Sequence, residues 1–135
     1  MTLKELSRIE HEAKCAKTSM PPAYVPVTKF TDLTANGLTK CIETFIRLEQ
    51  GYADRVNNMG VMRDGKWTTS GTRKGIPDIF AAKHPTGRMV GIEVKIGKDR
   101  QSDDQKKRQE EIEQSGGVYI IAKTFEQFYN EWIKI

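Results

Sequence analysis

The chain has 135 residues, 37% of them hydrophobic and 30% charged, with a formal net charge of +4 and a pI near 9.1. That length suits one domain with a single modest core, and the lack of any apolar run of roughly 18 residues excludes a membrane span. The mild positive charge permits nucleic-acid binding without demonstrating it.

The opening stretch is charged throughout, which leaves no core for a signal peptide. Thr2 and Glu5 form a capping box, and Leu3, Leu6, Ile9, Ala13 and Ala16 recur at helical spacing, predicting an amphipathic helix over about residues 3 to 17. Its thin apolar stripe suits packing on the body or on a second subunit. His11 lies among charges and reads as a solvated surface histidine. Cys15 and Cys41 show no metal-ligand spacing and read as reduced, buried thiols of a cytoplasmic protein.

Pro21, Pro22 and Pro26 mark residues 18 to 30 as an extended connector. Asn36 and Gly37 precede a second helix carrying Leu38, Cys41, Ile42, Phe45 and Leu48 on one face and ending at Gly51. Glu43 lies about 140° around that helix from Leu38, off the apolar stripe, and reads as a solvated surface residue. Asn36 reads as an N-cap or as a residue facing substrate. Tyr52 to Gly60 alternates and predicts the first core strand. Val61 to Thr72 reads as a polar loop or hairpin, turning at Arg63-Asp64-Gly65-Lys66 and anchored by Trp67.

Arg73 and Lys74 lead into the stretch with the most chemical content. After a turn at Gly75-Ile76-Pro77, Asp78 to Ala82 reads as a short apolar strand. Pro85 and Gly87 mark a turn, and Arg88 to Lys95 reads as a second strand, so the two form a β-hairpin. The midpoint between Asp78 and Glu93 falls inside that turn, so a regular hairpin sets the two carboxylates opposite each other. Glu93 and Lys95 share that face and Val94 points away. Facing carboxylates are destabilising on a sheet unless positive charge lies between them. A hard divalent cation supplies it, and Mg²⁺ accepts one or two carboxylates together with water and substrate phosphate.

Ser102 and Gln105 form a second capping box that starts a helix. Gln105 either caps that helix or reaches a metal-bound water or a phosphate. Gly116 and Gly117 end the helix, and Val118 to Ala122 is a continuous apolar run, predicting a central buried strand. Thr124 and Gln127 cap a last helix whose Phe125, Phe128, Tyr129 and Trp132 read as core. Helix, strand, hairpin, helix, strand and helix in that order predict an α/β sandwich with a mixed central sheet.

Pro77-Asp78 followed by Glu93-Val94-Lys95 resembles the PD-(D/E)xK nuclease superfamily, and most closely its VRR-NUC (virus-type replication-repair nuclease) branch. Arg55, Asn57, Asn58 and Gly60 ahead of the hairpin and Gln105 after it are similar to that branch's pattern. The resemblance implies a restriction-endonuclease-like fold over residues 36–135, preceded by a helix and connector at 1–35. It implies a Mg²⁺- or Mn²⁺-dependent DNA endonuclease, structure-specific, of phage or bacterial replication and repair. Asp78, Glu93 and the Val94 carbonyl would hold the metal, Lys95 would assist the attacking water, and Gln105 would lie beside them. Superfamily members often carry a further acidic ligand on the first core helix, for which Glu43 is the candidate by position. Junction-cleaving members act as homodimers, since two symmetric cuts need two sites. Arg55, Asn57, Arg73, Lys74, Lys98, Arg100, Lys106 and Lys107 are the candidate contacts to nucleic-acid phosphates. A catalytically inactive nucleic-acid-binding module with the same fold is the competing expectation, and RNA is the alternative substrate.

Overall fold

In a computed structural model, which describes residues 1–56, 61–68, 71 and 73–135, a capped helix α1 (Leu3–Cys15) leads through a single 3₁₀ turn (Pro22–Tyr24) to α2 (Ala35–Leu48). The strands β1 (Tyr52–Arg55), β2 (Val61–Arg63), β3 (Lys66–Thr68), β4 (Ile79–Lys83) and β5 (Arg88–Val94) follow. Helix α3 (Asp103–Gln114), strand β6 (Val118–Ala122) and helix α4 (Phe125–Trp132) complete the order. No helix among the described residues is long and apolar enough to cross a membrane.

The main sheet runs β1-β4-β5-β6. Its β1–β4 and β4–β5 pairs are antiparallel and its β5–β6 pair is parallel. The mixed sheet, flanked by helices, is consistent with a restriction-endonuclease-like fold. Period-two alternation divides the strands between two faces. Ile79, Ala81, Val90, Ile92, Ile120 and Ala122 join Leu38, Ile42, Phe45 and Phe128 in one apolar core. Phe45 is its hub, edge-on to Phe125, Phe128 and Tyr129 at ring separations of 5.4–6.0 Å. Gly91, Glu93 and Tyr119 point the other way, toward α3.

One open alternative is resolved and three local expectations need correction. Leu6 is fully buried in the same core, so α1 packs on the body, its apolar stripe being thin because one leucine fills the seat. His11 is half-buried, 3.1 Å from the Val25 carbonyl, because the proline-rich connector folds back along α1. Among the described residues the apolar run Val118–Ala122 pairs only with β5 and is a sheet edge; α3 and α4 bury it. Trp67 is no buried anchor: it is 61% exposed on the β2–β3 hairpin.

Candidate active site

The site begins with strand register. Ile79 pairs with Ile92 across the β4–β5 hairpin, so the next step pairs Asp78 with Glu93, the opposition that the turn's midpoint predicts. The turn closes through Gly87 N–H donating to the Lys83 carbonyl at 2.8 Å, with Gly87 at φ 68°. Pro77 is buried and packs over Gly91. A Cβ at position 91 would lie 2.8 Å from Pro77 Cγ and 2.9 Å from Ile112 Cδ1. Only a bare backbone leaves room there, and this seat fixes where the chain arrives at Asp78. On the other side, Val56 N–H donates to the Asp78 carbonyl at 2.8 Å.

Asp78 is half-buried, and its Oδ2 accepts from Val94 N–H at 2.8 Å. Glu93 is 2% exposed. Lys95 Nζ stands 3.3 Å from Glu93 Oε1 and 3.5 Å from Asp99 Oδ2. Gln105 Nε2 donates to Glu93 Oε1, and the Tyr119 hydroxyl donates to Oε2 at 3.4 Å. Burial, and next the negative charge of Asp78, push the Glu93 carboxyl up to about 7, against the pull of Lys95. Burial, and next the charge of Glu93, push the Tyr119 phenol up as well, keeping it a proton donor at neutral pH.

Gln105 bears out its capping reading, and its side chain also reaches Glu93. Its Oε1 accepts from Ser102 N–H at 2.8 Å, closing the capping box of α3, while its amide nitrogen turns to Glu93. Tyr119 and Asp99 escaped sequence reasoning. Tyr119 lies in an apolar run that reads as plain core, and only the Gly91–Tyr119 register of the parallel pair brings it beside Glu93. Asp99 carries a signal in hindsight, standing four residues after Lys95.

Other candidates lie apart from this cluster. Arg55 aligns with Ile79 on the opposite face, where its guanidinium donates to Asn36 Oδ1 at 2.9 Å. Asn36 is in the first turn of α2, whose cap is Thr34. Glu43 is paired with Arg47 at 3.3 Å, on the helix that covers the opposite face. Arg73 pairs with Glu111 at 3.0 Å and Lys106 with Asp103 at 3.4 Å. Lys74, Lys98, Arg100 and Lys107 are exposed. Asn57, with Asn58 and Gly60, lies outside the described residues.

The donor set fits a hard divalent cation. Two carboxylates repel each other at one strand end, partly buried, with a single lysine to balance them. Among the described residues no group of three His, Cys, Asp or Glu side chains converges. Mg²⁺ tolerates that, since it retains waters and takes substrate phosphate as well.

A family model, VRR-NUC domain, matches residues 49–125, a span that includes Asp78, Glu93, Lys95 and Gln105. Comparison with curated proteins and with solved structures returns no match.

Proposed function

Because the chain belongs to the VRR-NUC domain family, whose members are nucleases, we propose that it is a Mg²⁺- or Mn²⁺-dependent DNA endonuclease acting on branched or flapped structures in replication and repair. The observation that carries this reading is the convergence of Asp78, Glu93 and Lys95 on one sheet face, with Glu93 almost fully buried. A binding module has no use for a buried, mutually repelling carboxylate pair.

Asp78 and Glu93, with the Val94 carbonyl, would hold the cation. When bound, the cation supplies charge neutralisation at the scissile phosphate and a nucleophilic water at neutral pH. The Val94 N–H fixes the Asp78 carboxylate, leaving its second oxygen for a ligand. Gln105 and Tyr119 fix the two oxygens of Glu93 from either side. Lys95, oriented by Glu93 and Asp99, presents its ammonium to the attacking water and to charge developing on the phosphate. Lys98, Arg100, Lys106 and Lys107 follow directly and would meet the neighbouring phosphates, with Arg73 and Lys74 on the other flank.

A homodimer belongs to the same reading. Tyr52, at 60% exposure, and Met89, at 40%, flank Phe80 on the sheet face beside α3, and this apolar strip would form the seam.

The deciding experiment is cleavage of supercoiled, flap, splayed and four-way DNA with Mg²⁺, Mn²⁺ or EDTA. Metal-dependent cleavage is expected, and Lys95→Met should lower its rate about 100-fold or more while binding persists. DNA binding without cleavage under either metal would convert the reading to an inactive module. Preference for RNA would overturn the DNA assignment.

A further inference from the structure

The excursion between β1 and β4 carries the β2–β3 hairpin, which stands apart from the cluster of Asp78, Glu93 and Lys95. It is pinched at its root, where Val56 N–H donates to the Asp78 carbonyl, so whatever it carries is rooted at the catalytic end of the sheet. Its descending limb is held against α3 by the Arg73–Glu111 ion pair. Between these limbs stands the β2–β3 hairpin, a two-residue turn in which Asp64 (φ 49°) and Gly65 (φ 72°) are both left-handed. That is the turn whose twist matches paired strands, so the hairpin is locally specified.

Its two faces differ. Met62 pairs with Trp67 on one face, 64% and 61% exposed. Arg63 pairs with Lys66 on the other, both exposed. Two cations directly opposite each other are unfavourable in a hairpin, and a large aromatic left in water gains nothing for the fold. The combination is unfavourable for the protein alone and suits one kind of partner. Nucleic acid offers phosphates to a cation pair and flat bases to an indole.

We propose that the β2–β3 hairpin is a nucleic-acid-binding arm, in which Trp67 stacks on an exposed DNA base with Met62 beside it and Arg63 and Lys66 contact the backbone. Met62 is six Cα steps from Val56, at most about 20 Å of extended chain. The base engaged therefore lies within a few nucleotides of the phosphate at Asp78 and Glu93. A stacking arm so placed favours DNA with unpaired bases near the cut, which gives a physical basis for structure specificity. This inference rests on the nuclease reading for its substrate.

The test is a titration of the full chain in EDTA, which prevents cleavage, with splayed DNA and with a blunt duplex of equal length. Trp132 is 1% exposed and Trp67 is 61% exposed, so quenching of the exposed indole reports on the arm. Splayed DNA should quench Trp67 more than the duplex does. Trp67→Ala should weaken splayed-DNA binding about 10-fold, the order of one base–aromatic stack, and Trp67→Phe should retain most of it. Replacing both Arg63 and Lys66 by alanine should flatten the log–log salt dependence by about 1–2. All these variants should melt with the wild type.

Unchanged affinity in Trp67→Ala, with no quenching in the wild type, would overturn the proposal. So would unchanged DNA affinity together with a dimer that Trp67→Ala dissociates in sedimentation, which would make the arm a contact between copies of the chain. Quenching by DNA that is never cleaved would leave the arm standing and remove the nuclease reading. Cleavage indifferent to Trp67 would do the reverse.

Discussion

Gln105 joins Glu93 to the start of α3: its side-chain amide donates to Glu93 Oε1 while its own oxygen accepts from Ser102 N–H at 2.8 Å. Helix cap and buried carboxylate are thereby one hydrogen-bonded unit, and the position of α3 is coupled to the orientation of Glu93.

The two duties are separable by mutation. Ser102→Ala removes the hydroxyl acceptor of the capping box and should lower stability by about 0.5–2 kcal/mol, leaving cleavage per folded molecule unchanged. Gln105→Glu keeps the capping oxygen but loses the donor to Glu93 and adds a third negative charge. Its cleavage rate should fall at saturating DNA with a smaller loss of melting temperature than Ser102→Ala shows at pH 5. Equal cleavage in both variants would leave Gln105 as a cap alone.

The opposition of Asp78 and Glu93 predicts a divalent-metal site. Calorimetric titration with Mn²⁺ should detect binding that Asp78→Ala and Glu93→Ala each weaken strongly. Affinity unaltered in both would sink the metal assignment, whatever the DNA results.

Glu93 also predicts an unusual pH dependence for the metal-free protein. Burial and the charge of Asp78 push its folded carboxyl up to about 7, against about 4.3 for a free glutamate. Between those values the folded state holds a proton that the unfolded state has lost, so stability from this group is greatest at low pH and falls as pH rises toward 7. In EDTA, the wild-type melting temperature relative to Glu93→Gln should decline from pH 5 to pH 8. Mn²⁺ should reverse the decline, since it binds the ionised form. Parallel pH profiles for the two proteins would contradict the burial assigned to Glu93.

Gly91 has no chemistry of its own, yet the site depends on it. Gly91→Ala puts a Cβ against Pro77 and Ile112, an overpacking that should cost about 1–3 kcal/mol. Because Pro77 precedes Asp78, Mn²⁺ affinity should fall too. Retained affinity at reduced stability would show that the strand adjusts without moving Asp78.

Much of the molecule is determined by local sequence. The hairpin's register follows from its turn, since a strand's period of two leaves one pairing that buries Ile79 and Ile92 together. Asp78 opposite Glu93 is a consequence of that register, and Lys95 on the same face a consequence of alternation. Capping at Thr2, Ser102 and Thr124 is local as well, hydroxyl to backbone within three residues. Tertiary structure decided what alternation and capping leave open. Tyr119 reaches Glu93 only because β6 lies parallel beside β5, a pairing that depends on how α3 crosses over the sheet. Gln105 touches Glu93 because the Gly91 seat admits Pro77 and Ile112 and so brings α3 close. Glu43 and Arg55 are candidates by their place in the chain and yet belong to the opposite face. Trp67 reads as an anchor by composition, but its exposure depends on whether another element arrives to cover it. Contacts set by neighbouring residues are legible from spacing; contacts set by the packing of distant elements depend on the whole core.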